Sequence, residues 1–279
     1  MDCKTCLIAL GAVVSAACGS SDSAPDANDP ANIAFGTTAI VVVVNPPVND
    51  ANSHSVPAPG TARAGITLTT DDNVSATTDA SGIAVLAPVT AGARTIRVSG
   101  TGITGSVGVT IAAHALLELA ITTGATPTSS PGMMVQIDYK TDQAVQVSPA
   151  MTNAEVNSVL KVSDRVVFFA GGSYTGDIDF SGSRVTLFGE GALGGRVLID
   201  GNVTVSGSDS RIRGTHITGN LTIPASGVGV SFSRVDGAVQ SAGSDGRLLA
   251  NAMCGAETVT GSGTIALGNA GMAPIATCP

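Results

Sequence analysis

SRIRGTHITGNLTIPASG (210–227), VGVSFSRVDGAVQSAGSD (228–245) and GRLLANAMCGAETVTGSG (246–263) lie over one another without a gap at a period of 18 residues. Ile212, Val230 and Leu248 share one column, Ile217, Val235 and Met253 a second, and Gly219, Gly237 and Gly255 a third. A unit this short buries its apolar side only against its neighbours, so apolar columns mark the interior of a stack. Upstream, LIDGNVTVSGS (198–208) keeps the frame, with Ile199 over Ile217, Gly201 over Gly219, Val203 over Leu221 and Val205 over Ile223; residues 176–183 follow it more loosely. The pattern predicts about five coils, two enlarged by insertions such as GEGALGG (189–195). Alternation within each coil separates inward from outward positions, as two or three short strands pair in parallel with the next coil. The expected architecture is a compact parallel β-helix. The competing left-handed helix of hexapeptides asks for an apolar residue every six positions, whereas the apolar spacings here are two and five.

Ahead of the repeat, Thr152-Asn153-Ala154-Glu155 reads as a capping box, with Val156, Val159 and Leu160 following at helical spacing. The stretch SDRVVFFAGGSYTGDIDFSGSRVTLFGEG (163–191) resembles the first coil of pectin-lyase-like right-handed β-helices, where a short helix covers the open end of the stack. A cover is needed there because an open coil exposes strand edges and apolar core.

Between Thr37 and Thr123 the chain alternates short apolar runs with turn residues: AIVVVV (39–44), AGITLTT (64–70), SGIAVLAPV (81–89), ARTIRVSG (93–100), GSVGVTIA (105–112) and ALLELAIT (115–122). Strands at this spacing with no helical period between them predict a β-sandwich over 35–123. Residues 64–100, with Thr78-Asp79-Ala80-Ser81-Gly82 before one strand and Ala91-Gly92 before the next, resemble the transthyretin-like fold of carboxypeptidase regulatory domains. The resemblance implies that Asp79 and Ser81 satisfy backbone groups of a turn, that Gly82 supplies its tight bend, and that the module is a spacer or adhesion unit without catalysis of its own. GATPTSSPG (124–132) has the composition of a linker. The division is therefore a sandwich at 35–123, a linker at 124–134 and a β-helix at 135–279, an all-β chain with one short capping helix.

Composition agrees with layers of small strands. Apolar residues make up 43% of the 279 residues, yet there is no Trp, two Tyr and six Phe, so the core is built from Val, Ile, Leu and Ala. Only 12% of residues are charged and Gly numbers 35, which favours turns and hydroxyl-covered strand faces over helical bundles. The net charge of −8 argues against nucleic acid or an anionic membrane surface as the main partner.

Residues 1–17 read as a secretory signal: one Lys near Met1, an apolar run from Cys6 to Val14, then small residues, too short to span a bilayer. Ser15-Ala16-Ala17-Cys18 resembles a bacterial lipobox, which implies lipidation of Cys18. Gly19 after that Cys implies, by resemblance to Gram-negative lipoproteins, the outer membrane or cell surface. Residues 18–34 (CGSSDSAPDANDPANIA) are a polar tether without periodicity. The alternative is a plain secretory signal and a secreted or periplasmic chain. With residues 1–17 removed and Cys18 lipidated, Cys254 and Cys278 remain, and in an oxidising compartment they make one disulfide closing a loop of about 25 residues. A metal site there lacks further ligands, and no cofactor or metal is expected.

On the face expected to carry Ile212 and Ile217, the outward residues are Arg213, His216 and Thr218, then Ser231, Arg234 and Asp236; Asp200 shares the column of Thr218 and Asp236. Asp200 and Asp236 two coils apart stand roughly 9–10 Å from each other. Two carboxylates at such a distance, with His216 and Arg234 between, are what an inverting glycosidase uses, and the β-helix resemblance points to polysaccharide lyases and hydrolases. Against this, the chain has neither the adjacent Asp pair of polygalacturonases nor the carboxylate cluster that holds calcium in pectate lyases, and an Asp before Gly at a coil corner serves as a turn residue. Arg184, Arg211 and Arg247 each follow a Ser/Asp/Gly turn; either Asp209 and Asp245 neutralise them locally while their stems cover the coil edge, or they line a groove for anionic glycan. His54 and His114 are isolated. The expected function is a surface-anchored, monomeric structural module or binder of polysaccharide or a cell-envelope protein; the alternative is a polysaccharide lyase or glycoside hydrolase using Asp200, His216, Arg234 and Asp236.

Overall fold

The computed structural model describes residue 33 and residues 36–44, 64–80, 82–123, 127–128, 134–138, 144–189 and 197–267. Among them strands are the main regular structure, with a single helix, and no helix is long and apolar enough to cross a membrane. The expected signal, Cys18, most of the tether, the GEGALGG insertion beyond Gly189, His54 and Cys278 lie outside the described residues.

The N-terminal part contributes β1 (Ala39–Val44), β2 (Thr67–Thr70), β3 (Ser75–Thr77), β4 (Ile83–Leu86), β5 (Gly92–Gly100), β6 (Ile103–Ile111), β7 (Ala115–Thr123), β8 (Pro127–Thr128) and β9 (Met134–Asp138). One sheet runs β4-β1-β7-β8 with β9 also on β7, and a second runs β3-β2-β5-β6. Ile40, Val42 and Val44 of β1 and Leu117, Leu119 and Ile121 of β7 share a buried cluster with Leu68, Ile96, Val98 and Val109 of the other sheet. In the segment before β4, Asp79 Oδ1 accepts from the Ile83 N–H at 2.9 Å and Gly82 sits at φ 77°, as expected of a turn; Ser81 lies outside the described residues.

Residues 124–134, with the composition of a linker, contain β8; β9 lies almost wholly after them, in the stretch expected to belong to the β-helix, and both strands are antiparallel to β7. β8 and β9 complete the first sheet before the chain enters the repeat.

The repeat begins with β10 (Ala144–Val147) and α1 (Asn153–Leu160). Three strands per coil follow: β11 (Val166–Phe169), β12 (Gly172–Thr175), β13 (Ile178–Phe180); β14 (Thr186–Gly189), β15 (Val197–Asp200), β16 (Val203–Val205); β17 (Arg211–Arg213), β18 (His216–Ile217), β19 (Leu221–Ile223); β20 (Gly229–Ser231), β21 (Arg234–Val235), β22 (Val239–Ser241); β23 (Arg247–Leu249), β24 (Ala252–Met253), β25 (Glu257–Val259); then β26 (Ile265–Leu267). They stack as three parallel sheets: stack sheet 1 runs β10-β11-β14-β17-β20-β23-β26, stack sheet 2 β12-β15-β18-β21-β24, and stack sheet 3 β13-β16-β19-β22-β25. This is a β-helix-like coil stack in the register read from the sequence, with Ile212 opposite Val230, Val230 opposite Leu248, and Ile199 opposite Ile217. Between the first two coils the offset is 20 residues in stack sheet 1, as in Val166 opposite Thr186, and 25 in stack sheet 2, as in Tyr174 opposite Ile199, because the second coil is lengthened between β14 and β15.

Inward positions make one continuous core from Val147 through Phe169, Ile199, Ile217 and Val235 to Val259. α1 closes its starting end. Thr152 and Glu155 form the reciprocal capping box, while Val156 and Leu160 enter the core. Asn157 donates to the Asp177 carbonyl at 3.0 Å and accepts from the Asp179 N–H at 2.9 Å, so its amide satisfies the open edge of β13 as a neighbouring strand would.

The two parts are in contact. The opposite face of the first sheet, Ala39, Val41, Val43, Leu116 and Ala120, packs on the outer face of stack sheet 1 through Val166, Phe188, Phe232, Leu249 and Ile265. β1 is therefore buried on both sides, which is why its sequence is an unbroken apolar run rather than an alternating one.

Candidate functional site

Stack sheet 2 turns two columns of side chains outward. Leu198, His216, Arg234 and Ala252 form one by direct register. Thr175, Asp200, Thr218, Asp236 and Cys254 form the other, fixed by the bonds from Thr218 N–H to Ile199, Asp236 N–H to Ile217 and Cys254 N–H to Val235. The strands that carry them are short because each coil turns again within a few residues, and the side chains stand in rows one coil spacing apart.

Three of the four candidate residues converge. His216 Nε2 lies 2.8 Å from Asp236 Oδ2, and Arg234 Nε donates to Asp236 Oδ1 at 2.6 Å. Their side chains retain 20% (His216), 18% (Arg234) and 24% (Asp236) of full exposure, so the cluster is half-sheltered at the sheet surface. Burial works to raise the Asp236 carboxyl, but hydrogen bonds from Arg234 and His216 and their charges outweigh it and hold the group below the ordinary carboxylate range. Asp236 is thus a fixed carboxylate with each oxygen engaged, unsuited to donate a proton as a general acid must.

Asp200 stands apart, exposed, accepting from Thr218 Oγ1 at 3.1 Å. Thr218 occupies the position between the two carboxylates in the column. They therefore flank an intervening strand of the same sheet. An inverting hydrolysis needs a sugar and a water between the two carboxyls.

Arg213 and Ser231, read from sequence as part of this face, are not on it. They belong to β17 and β20 on stack sheet 1, are buried, and are separated from β18 and β21 by a corner at Gly214 (φ 69°) and Phe232 (φ 46°). Strand alternation does not continue across this corner, which the sequence marks only by Gly214.

The arginines at the coil starts divide. Arg184 forms a two-pronged pair with Asp164, Nε to Oδ1 at 2.5 Å and Nη2 to Oδ2 at 2.7 Å. Arg211 instead donates to the Ser210 and Gly227 carbonyls, and Arg247 to the Gly246 and Gly263 carbonyls. Burial lowers both guanidinium groups from their ordinary value. Asp209 and Asp245 take up left-handed turn conformations, φ 57° and 59°, in the same column as Gly227 and Gly263.

His114 Nδ1 meets the Gly36 carbonyl at 3.0 Å, a turn contact rather than a metal ligand. Among the described residues no group of three His, Cys, Asp or Glu side chains is placed to hold a metal. Cys254 is disulfide-bonded; the expected partner Cys278 is outside the described residues.

Two polar series escaped the sequence reading. Asp177 Oδ1 accepts from Asn202 N–H at 2.8 Å, Asn202 Oδ1 from Asn220 N–H at 2.9 Å, and Asn220 Oδ1 from Ala238 N–H at 2.8 Å, a ladder up one corner. Inside another corner, Thr215 N–H donates to Ser233 Oγ and Ser233 N–H to Asn251 Oδ1. The period of 18 that aligned the apolar columns also aligns Asn202 with Asn220 and Ser233 with Asn251. No protein-family model, curated protein or solved structure matches the chain.

Proposed function

We propose that this chain is an exported, lipid-anchored, monomeric structural or binding module of the outer membrane or cell surface, without catalytic activity. In this reading a transthyretin-like sandwich and a right-handed, helix-capped β-helix are presented on a tether from Cys18, with Cys254 and Cys278 pinning the C-terminal end. The observation that carries it is the state of the stack sheet 2 face: Asp236 is held as a carboxylate by Arg234 and His216, and Asp200 is separated from it by Thr218 in the same column. Such a face offers charge and hydroxyls for contact with a polysaccharide or an envelope protein, and its central carboxylate, engaged on both oxygens, is poorly suited to donate a proton.

The test uses the full chain in mild detergent, because residues 133–279 alone would uncover the apolar face of stack sheet 1. It is incubated with acidic and neutral polysaccharides beside Asp236→Ala, scoring both binding and chain cleavage. The expected result is no cleavage by either protein; cleavage by the parent that Asp236→Ala loses would establish the lyase or hydrolase instead. Cells fed labelled palmitate should label the parent and not Cys18→Ser, and equal labelling would remove the anchor from the account.

A further inference from the structure

At the centre of the apolar contact between the first sheet and stack sheet 1 stand one acid and one base. Glu118, 0% exposed, projects from β7, and Arg213, 5% exposed, from β17; Arg213 Nε donates to Glu118 Oε1 at 2.7 Å. The guanidinium carbon lies 5.9 Å from the Phe188 ring centre and 5.3 Å from that of Phe232, close enough for both rings to hold the cation. Glu118 Oε2 and Arg213 Nη2 are buried without a hydrogen-bond partner, so the pair rests on one hydrogen bond made across the contact. Phe232 itself occupies the left-handed region at φ 46°, where bulky residues are strained, in a column shared with Gly214 and Ala250. The smaller residues fit that corner with less strain, yet the coil that meets Arg213 carries the ring.

We propose that Glu118 and Arg213 form a latch that fixes the first sheet on the coil stack in a single position, making the described body one rigid arm that unfolds as a unit. An apolar face alone would accept small slides and rotations. A buried charge pair is neutralised in one alignment only, and separating it strands two charges away from water. This device is independent of the binding reading above and concerns the body rather than its outer face.

Scanning calorimetry of the full chain in detergent tests it, with Glu118→Gln, Arg213→Met and the double variant Glu118→Gln/Arg213→Met. The parent should unfold in one transition. Glu118→Gln, which leaves Arg213 buried and uncompensated, should lower the first transition by about 10 °C and split the trace in two. The double variant, having no stranded charge, should regain most of that loss, so that the single effects are strongly non-additive. Two transitions in the parent, a single unsplit transition in Glu118→Gln, or additive effects in the double variant would each overturn the latch.

Discussion

A single carboxylate shows how far local chemistry sets behaviour here. In the turn after β2, Asp72 accepts from the Thr70 hydroxyl and from the Thr90 N–H at 2.6 Å, and these bonds lower its pKa from 3.8 to about 2. Folding favours the ionised form, so the stabilisation is complete above the ordinary carboxyl value and is lost as pH falls through about 2. Asp72→Ala should cost about 1–2 kcal/mol at pH 7 after allowance for solvent screening, with the difference shrinking below pH about 4 in urea titrations. A difference that persists unchanged at pH 2 would assign the effect to packing. At this scale the candidate face was partly legible: the period brought Asp200, His216, Arg234 and Asp236 to one sheet. It could not reveal that Asp236 is engaged on both oxygens, because side-chain pairing across coils depends on rotamers. Glu118 was visible as the lone acid in ALLELAIT and Arg213 as the flanking base in RIRG, but no spacing relates residues 95 positions apart.

Among elements, the coils repeat because three positions per coil recur: apolar residues inward, a glycine where coils approach, and a residue tolerant of left-handed backbone at the corner. Gly237 shows the second requirement, since a Cβ there would stand 2.4 Å from the Gly219 carbonyl oxygen of the coil before. Gly237→Ala should therefore cost about 1–3 kcal/mol, read as a lower midpoint in denaturant. An unchanged midpoint would mean that the coils are spaced more widely at that corner. The third requirement appears where Asp209, Gly227, Asp245 and Gly263 alternate in one column at φ 57–71°. The gap-free repeat made these elements readable, together with the capping box of α1. β8 and β9 were not, because β8 is two residues inside a segment with a linker's composition and β9, just beyond it, falls by position in the expected β-helix; pairing with β7 decides their state.

The whole molecule is set by strands that face two cores at once. AIVVVV carried that information, since a strand of a two-layer unit open to solvent on its outer face would alternate, and this one does not. The sequence reading placed a spacer ahead of a separate β-helix; the structure packs the first sheet on stack sheet 1, leaving stack sheets 2 and 3 to present His216, Arg234 and Asp236 on one face and Thr204, Thr222, Gln240 and Thr258 on another. Both the candidate face and the position of Arg213 follow from the 18-residue register, which makes that register the central claim. It is tested by paired cysteines on the outer face of stack sheet 3, followed by mild oxidation of the full chain and mass spectrometry of the linked peptides. Thr222→Cys/Gln240→Cys joins partners in adjacent coils and should form a disulfide, whereas Thr222→Cys/Thr258→Cys spans two coils, roughly 10 Å, and should not. Failure of the first pair, or equal closure of the second, would contradict the account.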